Sequence, residues 1–337
     1  MTQPTASTPP PPTPQLVLLT GAFGNIGSHT LPQLVAAGHR VRALSQGGRA
    51  DRATAAALGD AVELLTGDVR DRGLLDRAMA GVNTVIHLAY VIPPAALENP
   101  ELARSVNVDG TAAVLAAARA AATPPRLVFA STLDVYGVSP DPPPRRVGDP
   151  LQRTDNYSGH KIDCEQMVRE SGLTYAILRF ADVPPIAIRG PQPMMFRLPL
   201  ETRIEMIHPD DAGLAITRAV STEGVWGKTL NIGGGPRCQH RYRDYHNRFL
   251  DAMGIGALPD SAFSLEPYCT DWLDTEESQR LLQYQRYTLD DVVRQTAALL
   301  GWRAPMARLL RPIVRYFILR MSPHHGAAGA GSRAAAQ

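Results

Sequence analysis

The sequence predicts an α/β fold organised on a doubly wound parallel sheet with a small C-terminal lobe, and three observations lead there. From Gln15 onward, short apolar runs alternate with amphipathic helical segments, the pattern of consecutive βαβ units. Three glycines, Gly21, Gly24 and Gly27, stand between the first apolar run and the first helical segment. After Arg179 the alternation loosens into a Pro-rich stretch and then mostly helical sequence.

Strands are expected at Leu16 to Leu19, Val41 to Leu44, Val62 to Leu65, Thr84 to Leu88, Arg126 to Ala130 and Ala176 to Arg179, with helices in the gaps. A further helix opens at His208-Pro209-Asp210-Asp211, where acidic residues favour a helix N-terminus, and a strand follows at Thr229 to Ile232. The expected division is a tail over 1–14, a nucleotide-binding domain over 15–182, a substrate lobe over 183–302 interleaved with the core, a basic amphipathic helix over 303–325 and a second tail over 326–337. Both tails are too poor in large apolar residues to pack.

Composition narrows the function classes. Thirty-four basic and 32 acidic residues give a net charge of +2, and they are interspersed, so no field points to nucleic acid. No run approaches the roughly 20 apolar residues needed to span a bilayer. Three widely spaced cysteines, Cys164, Cys238 and Cys269, suit reduced thiols in the cytoplasm better than a disulfide framework. Cys238, His240 and His246 lack the spacing of a structural zinc site, so no metal is expected.

The glycine turn carries the first chemical inference. Gly21 allows a tight turn, Gly24 lets the backbone approach a pyrophosphate, and Gly27 allows close helix packing, with the helix N-terminus facing the anion. This is the fingerprint of a Rossmann-type sheet that binds NAD or NADP. An NAD site usually places a carboxylate after the second strand. That strand ends here at Leu44 and Ser45, with Arg42 and Arg49 nearby, so the sequence leans to NADP.

Tyr157 and Lys161 are four residues apart and share one helix face. Ser131, Thr132 and Tyr136 follow the fifth strand, at the carboxyl edge where such sheets bind ligands. A phenol is a weak acid-base group, with an ordinary pKa near ~10; the neighbouring Lys161 ammonium, with the positive nicotinamide ring, would lower it. Thr132 can fix a substrate oxygen, and Ser131 is the alternative if the turn is shifted by one residue.

Together the segments TGAFGNIG, GDVRD, HLAY, NVDGT, STLDVYG, YSGHK and HPDD resemble the extended short-chain dehydrogenase/reductase family, also called the NAD-dependent epimerase/dehydratase family, from about Gln15 to Trp302. The resemblance implies Tyr157, Lys161, Thr132 and Asn107 as catalytic or supporting groups. It also implies that Gly21, Phe23, Gly24, Asn25, Ile26, Gly27, Ser45, Arg49, Asp68, Val69, Leu88, Ala89, Tyr90 and Lys161 contact the cofactor, with Asp68 beside the adenine and Lys161 on the nicotinamide ribose.

The chain departs from its relatives in places. Members that dehydrate sugar nucleotides follow the threonine with aspartate and glutamate; here these are Leu133, which transfers no proton, and Asp134, which reads as a turn carboxylate. Nucleotide-sugar members tend to carry an asparagine where this chain has Asp182, which would repel a diphosphate. Met194 to Leu200 offers apolar side chains instead of phosphate ligands.

The expected activity is therefore hydride transfer between nicotinamide and a small or apolar alcohol or carbonyl substrate. A nucleotide-sugar 4-epimerase and a catalytically idle dinucleotide sensor or scaffold stand as alternatives. A homodimer is expected. Met306, Leu309, Leu310, Ile313, Val314, Phe317 and Met321 fall on one helical face with Arg308, Arg311 and Arg315 opposite; this stripe suits packing on the protein itself or peripheral contact with a membrane over 305–321.

Overall fold

The computed structural model describes residues 13–188, 190–301 and 303–325. Most of the two expected tails therefore lies outside the described residues, as does Trp302. Nine strands form: β1 Leu16–Thr20, β2 Arg40–Ser45, β3 Val62–Thr66, β4 Thr84–His87, β5 Arg126–Thr132, β6 Tyr175–Phe180, β7 Arg203–Glu205, β8 Lys228–Ile232 and β9 Gln239–Arg241, among the described residues. Seven make one sheet in the order β3-β2-β1-β4-β5-β6-β8, all parallel. The Rossmann-type sheet is thus present.

Side-chain alternation along the strands builds two cores. In β1, Val17 and Leu19 enter the layer that contains Leu31, Leu34, Ala215 and Ile216. Leu18 enters the opposite layer with Leu75, Met79, Val114 and Phe129. Because both faces are covered, the central strands read as continuous apolar runs.

The first layer clamps the helix Gly27–Ala36 against the helix Pro209–Ser221. A Cβ at Gly213 would stand 2.7 Å from the carbonyl oxygen of His29, so only glycine permits this approach. His29 Nδ1 meets Asp210 Oδ1 at 2.6 Å, and Gln33 Nε2 donates to the Asp210 carbonyl at 2.9 Å. Asp211 accepts from the backbone of Arg286 and Tyr287 and from the Arg286 guanidinium. Both acids of the HPDD segment are engaged in holding elements together.

A smaller core gathers Phe196, Tyr242, Leu250, Phe263 and Ile318. Beside it, β7 and β9 pair antiparallel, with Ile204 opposite His240. The sequence gives little warning of these strands, which have three residues each, too few to show a period-two pattern. The single helix expected over 303–325 is instead two, Arg303–Leu309 and Arg311–Leu319. Pro312 lies in the first turn of the second helix, where it is tolerated and where it cannot donate to a carbonyl of the first.

Candidate active site

The carboxyl ends of β1, β4, β5 and β6 border a cavity of about 780 Å³. Gly21, Gly24, Asn25, Ile26 and Gly27 line it, as do Leu88, Tyr90, Thr132, Tyr157 and Lys161. Of the residues expected at the cofactor, Phe23, Ser45, Arg49, Asp68, Val69 and Ala89 are not in this wall. The glycine turn, Thr132, Tyr157 and Lys161 are thus brought to one cavity.

The glycine turn passes a direct test of fit to a dinucleotide. Gly21 has φ +68, and a Cβ there would stand 2.7 Å from the Ala89 nitrogen. A Cβ at Gly27 would lie 2.1 Å from the Gly21 carbonyl oxygen, whereas at Gly24 the nearest atom is 3.4 Å away, which leaves the backbone open on the cavity side. No side chain caps the helix Gly27–Ala36; the Ser28 and His29 N–H groups donate to the Gly24 and Ile26 carbonyls, so an anion would meet the N–H groups of the turn that precedes them. Asn25 Nδ2 anchors the turn by donating to the Val183 carbonyl at 2.7 Å.

Tyr157 and Lys161 belong to the helix Asn156–Glu170, started by Asp155, which accepts from the Ser158 N–H at 2.7 Å. Lys161 is buried, donates to the Ala130 carbonyl at 2.6 Å and stands 3.5 Å from the centroid of the Tyr90 ring. Burial pulls its pKa down to about 8. Its ammonium is 6.0 Å from the Tyr157 ring centroid.

In the protein alone, burial pushes the Tyr157 pKa up, the Asp134 and Asp155 charges add to this, and hydrogen bonding with Thr132 opposes it. The expected lowering calls on the positive nicotinamide ring as well as on Lys161.

The two hydroxyls after β5 are distinguished clearly. Ser131 Oγ donates to Glu165 at 2.6 Å, which turns it toward a buried polar network. Thr132 accepts from the Asp134 N–H at 3.2 Å and bonds the phenol. Both residues line the cavity, but the Ser131 hydroxyl is engaged with Glu165.

Asp134 corrects its assignment as only a turn carboxylate. It does sit in the turn Leu133–Tyr136, but it also lines the cavity. Burial, then Asp155 and Asp182, push its pKa up to about 7. Asp182 also lines the cavity, accepting from the Tyr245 hydroxyl at 3.3 Å.

Asn107 does not reach the cavity. Its amide accepts from the Val91 N–H at 2.7 Å and donates to the Val91 carbonyl at 2.9 Å. It holds the backbone beside Tyr90 and is a positioning residue, carried on a π-turn at Ser105–Asp109. Asp68 is gripped by Arg70, Nη2 to Oδ2 being 2.6 Å, which lowers its pKa. Val69 packs against Gly110, and the Ala89 N–H donates to Thr20 Oγ1 at 3.2 Å.

Sequence reasoning missed two features. Asp51 folds back from the helix Arg49–Ala57 to accept hydrogen bonds from Ser45 Oγ and from the Gly48 N–H. A carboxylate therefore does stand at the end of β2. Arg42 turns away to pair with Glu63 at 2.7 Å and to donate to the carbonyls of Ala78 and Ala80; in-register pairing of β2 with β3 sets Arg42 opposite Glu63. The second feature is the network under Thr132. Buried Arg179 donates to both oxygens of Glu165, at 2.8 and 2.7 Å, and to the Tyr136 hydroxyl at 3.0 Å; that hydroxyl donates to Asn231 at 2.6 Å.

The rest of the wall is largely apolar, with Met194, Met195, Leu198, Phe249, Leu250, Met253 and Ile318 prominent. His246 belongs to it and is kept neutral, burial drawing its pKa down to about 4. Among the described lining residues there is no arginine, and Lys161 is the single lysine.

Residues 17–192 match the model of the NAD dependent epimerase/dehydratase family. A UDP-glucose 4-epimerase of Azospirillum brasilense is 34% identical over 194 residues, 54% of this chain and 51% of the relative. The sterol demethylase protein B of Methylococcus capsulatus is 33% identical over 182 residues, 52% of each chain. Each match thus spans about half the length of the relative. The solved UDP-glucose-4-epimerase of Stenotrophomonas maltophila, with bound NAD and formylated UDP-arabinopyranose, superposes with a TM-score of 0.71 at 22% identity, covering 88% of this chain and 99% of that one. At that identity the likeness is one of fold, and it is the matched segment with its glycine turn and its Tyr157 and Lys161 helix that makes this chain a member of the NAD-dependent epimerase/dehydratase family.

Proposed function

We propose that the protein is an NAD(P)-dependent oxidoreductase acting on an alcohol or carbonyl group of a small or apolar substrate. One observation carries the substrate class: beyond Thr132 and Tyr157 the cavity wall is mostly apolar and, among its described residues, has no arginine to meet a diphosphate. Asp182 adds negative charge where a nucleotide sugar would bring its own, and Asp134 does so once it has lost its proton.

Gly21, Gly24 and Gly27 would hold the pyrophosphate, and Lys161 the nicotinamide ribose. Bound there, the dinucleotide would supply the hydride donor or acceptor and, when oxidised, a positive ring beside Tyr157. Thr132 would orient the substrate oxygen, and Tyr157 would exchange the proton with it. Lys161, fixed by Ala130 and Tyr90, would hold positive charge behind the phenol. Between the two dinucleotides we favour NAD over the NADP lean of the sequence. Arg42 is occupied elsewhere, and Asp51 beside Ser45 suits a ribose hydroxyl and opposes a 2′-phosphate.

The proposed setting is the cytoplasm, as free Cys164, Cys238 and Cys269 suit. Among the described residues no helix is long and apolar enough to cross a membrane. Self-association as a homodimer belongs to the same proposal, with Leu97 and Leu102 exposed on neighbouring helices. The 4-epimerase alternative is favoured by the names of three relatives, UDP-glucose 4-epimerases of Azospirillum brasilense, Yersinia pestis and Oryza sativa.

Titration of the purified chain with both dinucleotides, followed by a screen of apolar ketones and aldehydes with Tyr157→Phe as control, tests the proposal. NAD(H)-dependent reduction lost in the variant is expected. Retained NAD with conversion of a UDP-sugar would install the epimerase instead, and binding of neither dinucleotide would end both.

A further inference from the structure

The C-terminal helices reverse the arrangement their sequence suggests. Arg311 Nε donates to the Ile255 carbonyl at 2.8 Å and Arg315 Nη1 to the Gly256 carbonyl at 3.2 Å, so two arginines are turned onto the protein. Val314, Ile318 and Met321 pack into the small core. Half of the apolar stripe is left facing outward: Leu309 is 82% exposed, Phe317 61%, Ile313 55% and Met306 49%. A contiguous apolar surface of this kind marks a binding face.

Charge identifies what it binds. From Pro305 to His325 the sequence has four arginines, Arg308, Arg311, Arg315 and Arg320, and no aspartate or glutamate. The carbonyls that hold Arg311 and Arg315 orient those charges without neutralising them. Arg320 lies 5.8 Å from the centroid of the Tyr316 ring, and Tyr316 is itself exposed. Apolar side chains flanked by arginine and tyrosine suit the boundary between acyl chains and anionic headgroups. A second copy fits less well, because a self-complementary interface would set Arg308, Arg311, Arg315 and Arg320 of one chain against the same four of the other. The opposite, buried side of the second helix meets the active site, since Ile318, with Met253 and Ile255, lines the cavity.

We infer that the face formed by Met306, Leu309, Leu310, Ile313 and Phe317 docks on a bilayer containing anionic lipid, with the second helix standing between the membrane and the apolar wall of the cavity. The docking stands on the C-terminal helices alone; delivery of a membrane-dissolved substrate to Tyr157 rests on the oxidoreductase proposal above.

The test is co-sedimentation of the full chain with phosphatidylcholine vesicles, with and without about 30% phosphatidylglycerol. Binding to the anionic vesicles is expected to be about ten-fold stronger, and to fall about ten-fold in Ile313→Ser/Phe317→Ser and several-fold in Arg308→Gln. Melting temperature and dinucleotide binding should stay unchanged in all three proteins. Equal binding to both vesicle types, or no loss in the double variant, overturns the docking. So does a dimer in sedimentation velocity that the double variant dissociates, which would assign the face to a second copy. Vesicle binding by a chain that binds no dinucleotide would overturn the oxidoreductase proposal alone; dinucleotide binding without vesicle binding would overturn the docking alone.

Discussion

The ammonium of Lys161 stands 3.5 Å from the centroid of the Tyr90 ring, on the axis of an aromatic face whose edge-on neighbour is Tyr157, 5.9 Å away centroid to centroid. One buried cation is thereby held by a backbone carbonyl and a π-face, without a carboxylate partner among the described residues. Its charge remains available to whatever enters the cavity.

Removing the phenolic oxygen and removing the ammonium should therefore give different kinetics. Tyr157→Phe should lower kcat by about 10²–10⁴ with dinucleotide affinity unchanged. Lys161→Met should lower kcat and also weaken dinucleotide binding, because the proposed role sets the lysine on the nicotinamide ribose as well as behind the phenol. Steady-state kinetics and cofactor titration of both variants check this; identical behaviour would show that the two residues do not have separate tasks.

The selectivity between dinucleotides should depend on Asp51. A hydrogen bond to a charged group contributes roughly 1.5–3 kcal/mol, so Asp51→Ser should weaken NAD binding by about ten-fold or more and narrow the gap to NADP. Calorimetric titration of wild type and variant with each dinucleotide reads the effect. A wild-type preference for NADP would remove Asp51 from the ribose.

Stability should fall as pH rises from the ordinary carboxylate range toward neutrality. Burial pushes the carboxyls of Asp134 and Glu205 up to about 7. Between roughly pH 4 and that value the folded chain keeps protons that the unfolded chain has released, which favours the unfolded state progressively with pH. Asp134→Asn should flatten the decline of melting temperature across that window and move the acidic limb of kcat/KM. A decline of unchanged slope in the variant would leave Glu205, held by the N–H groups of Gly235 and Leu273, as its source.

Arg179→Met should cost about 3–5 kcal/mol in urea unfolding, since it strands buried Glu165. The loss should be partial, because Arg169 and Ser131 also bond that carboxylate. Catalysis in the surviving folded fraction should be affected less than stability, as Thr132 itself does not contact Arg179. A cost below about 1 kcal/mol would mean that the pair is no better than a solvated one.

How far the sequence could be read depended on the distance over which each signal acts. Gly21, Gly24 and Gly27 are legible because a strand, a turn and a helix must succeed one another within a dozen positions. Tyr157 and Lys161 are legible because helical geometry alone sets them on one face. Asp51 was missed because its carboxylate reaches Ser45 by folding back over a turn, and Arg42 was misassigned because its partner Glu63 is fixed by strand register. The burial of Arg179 depends on Tyr136, Glu165 and Asn231 meeting across the sheet, which no local pattern announces. The outward apolar face of residues 306–317 depends likewise on which carbonyls Arg311 and Arg315 find.

The contact of Gly213 with the backbone of His29 reaches beyond packing. It joins the helix that begins at the phosphate turn to the one that leads from the lobe back to β8, with no compressible side chain between them. Coupling free energy is reciprocal: if the dinucleotide tightens the first helix, occupancy of the lobe must alter the hold on the dinucleotide to the same degree. Enlarging position 213 would then act as an uncoupling lesion, leaving two ligands that each bind and no longer sense one another.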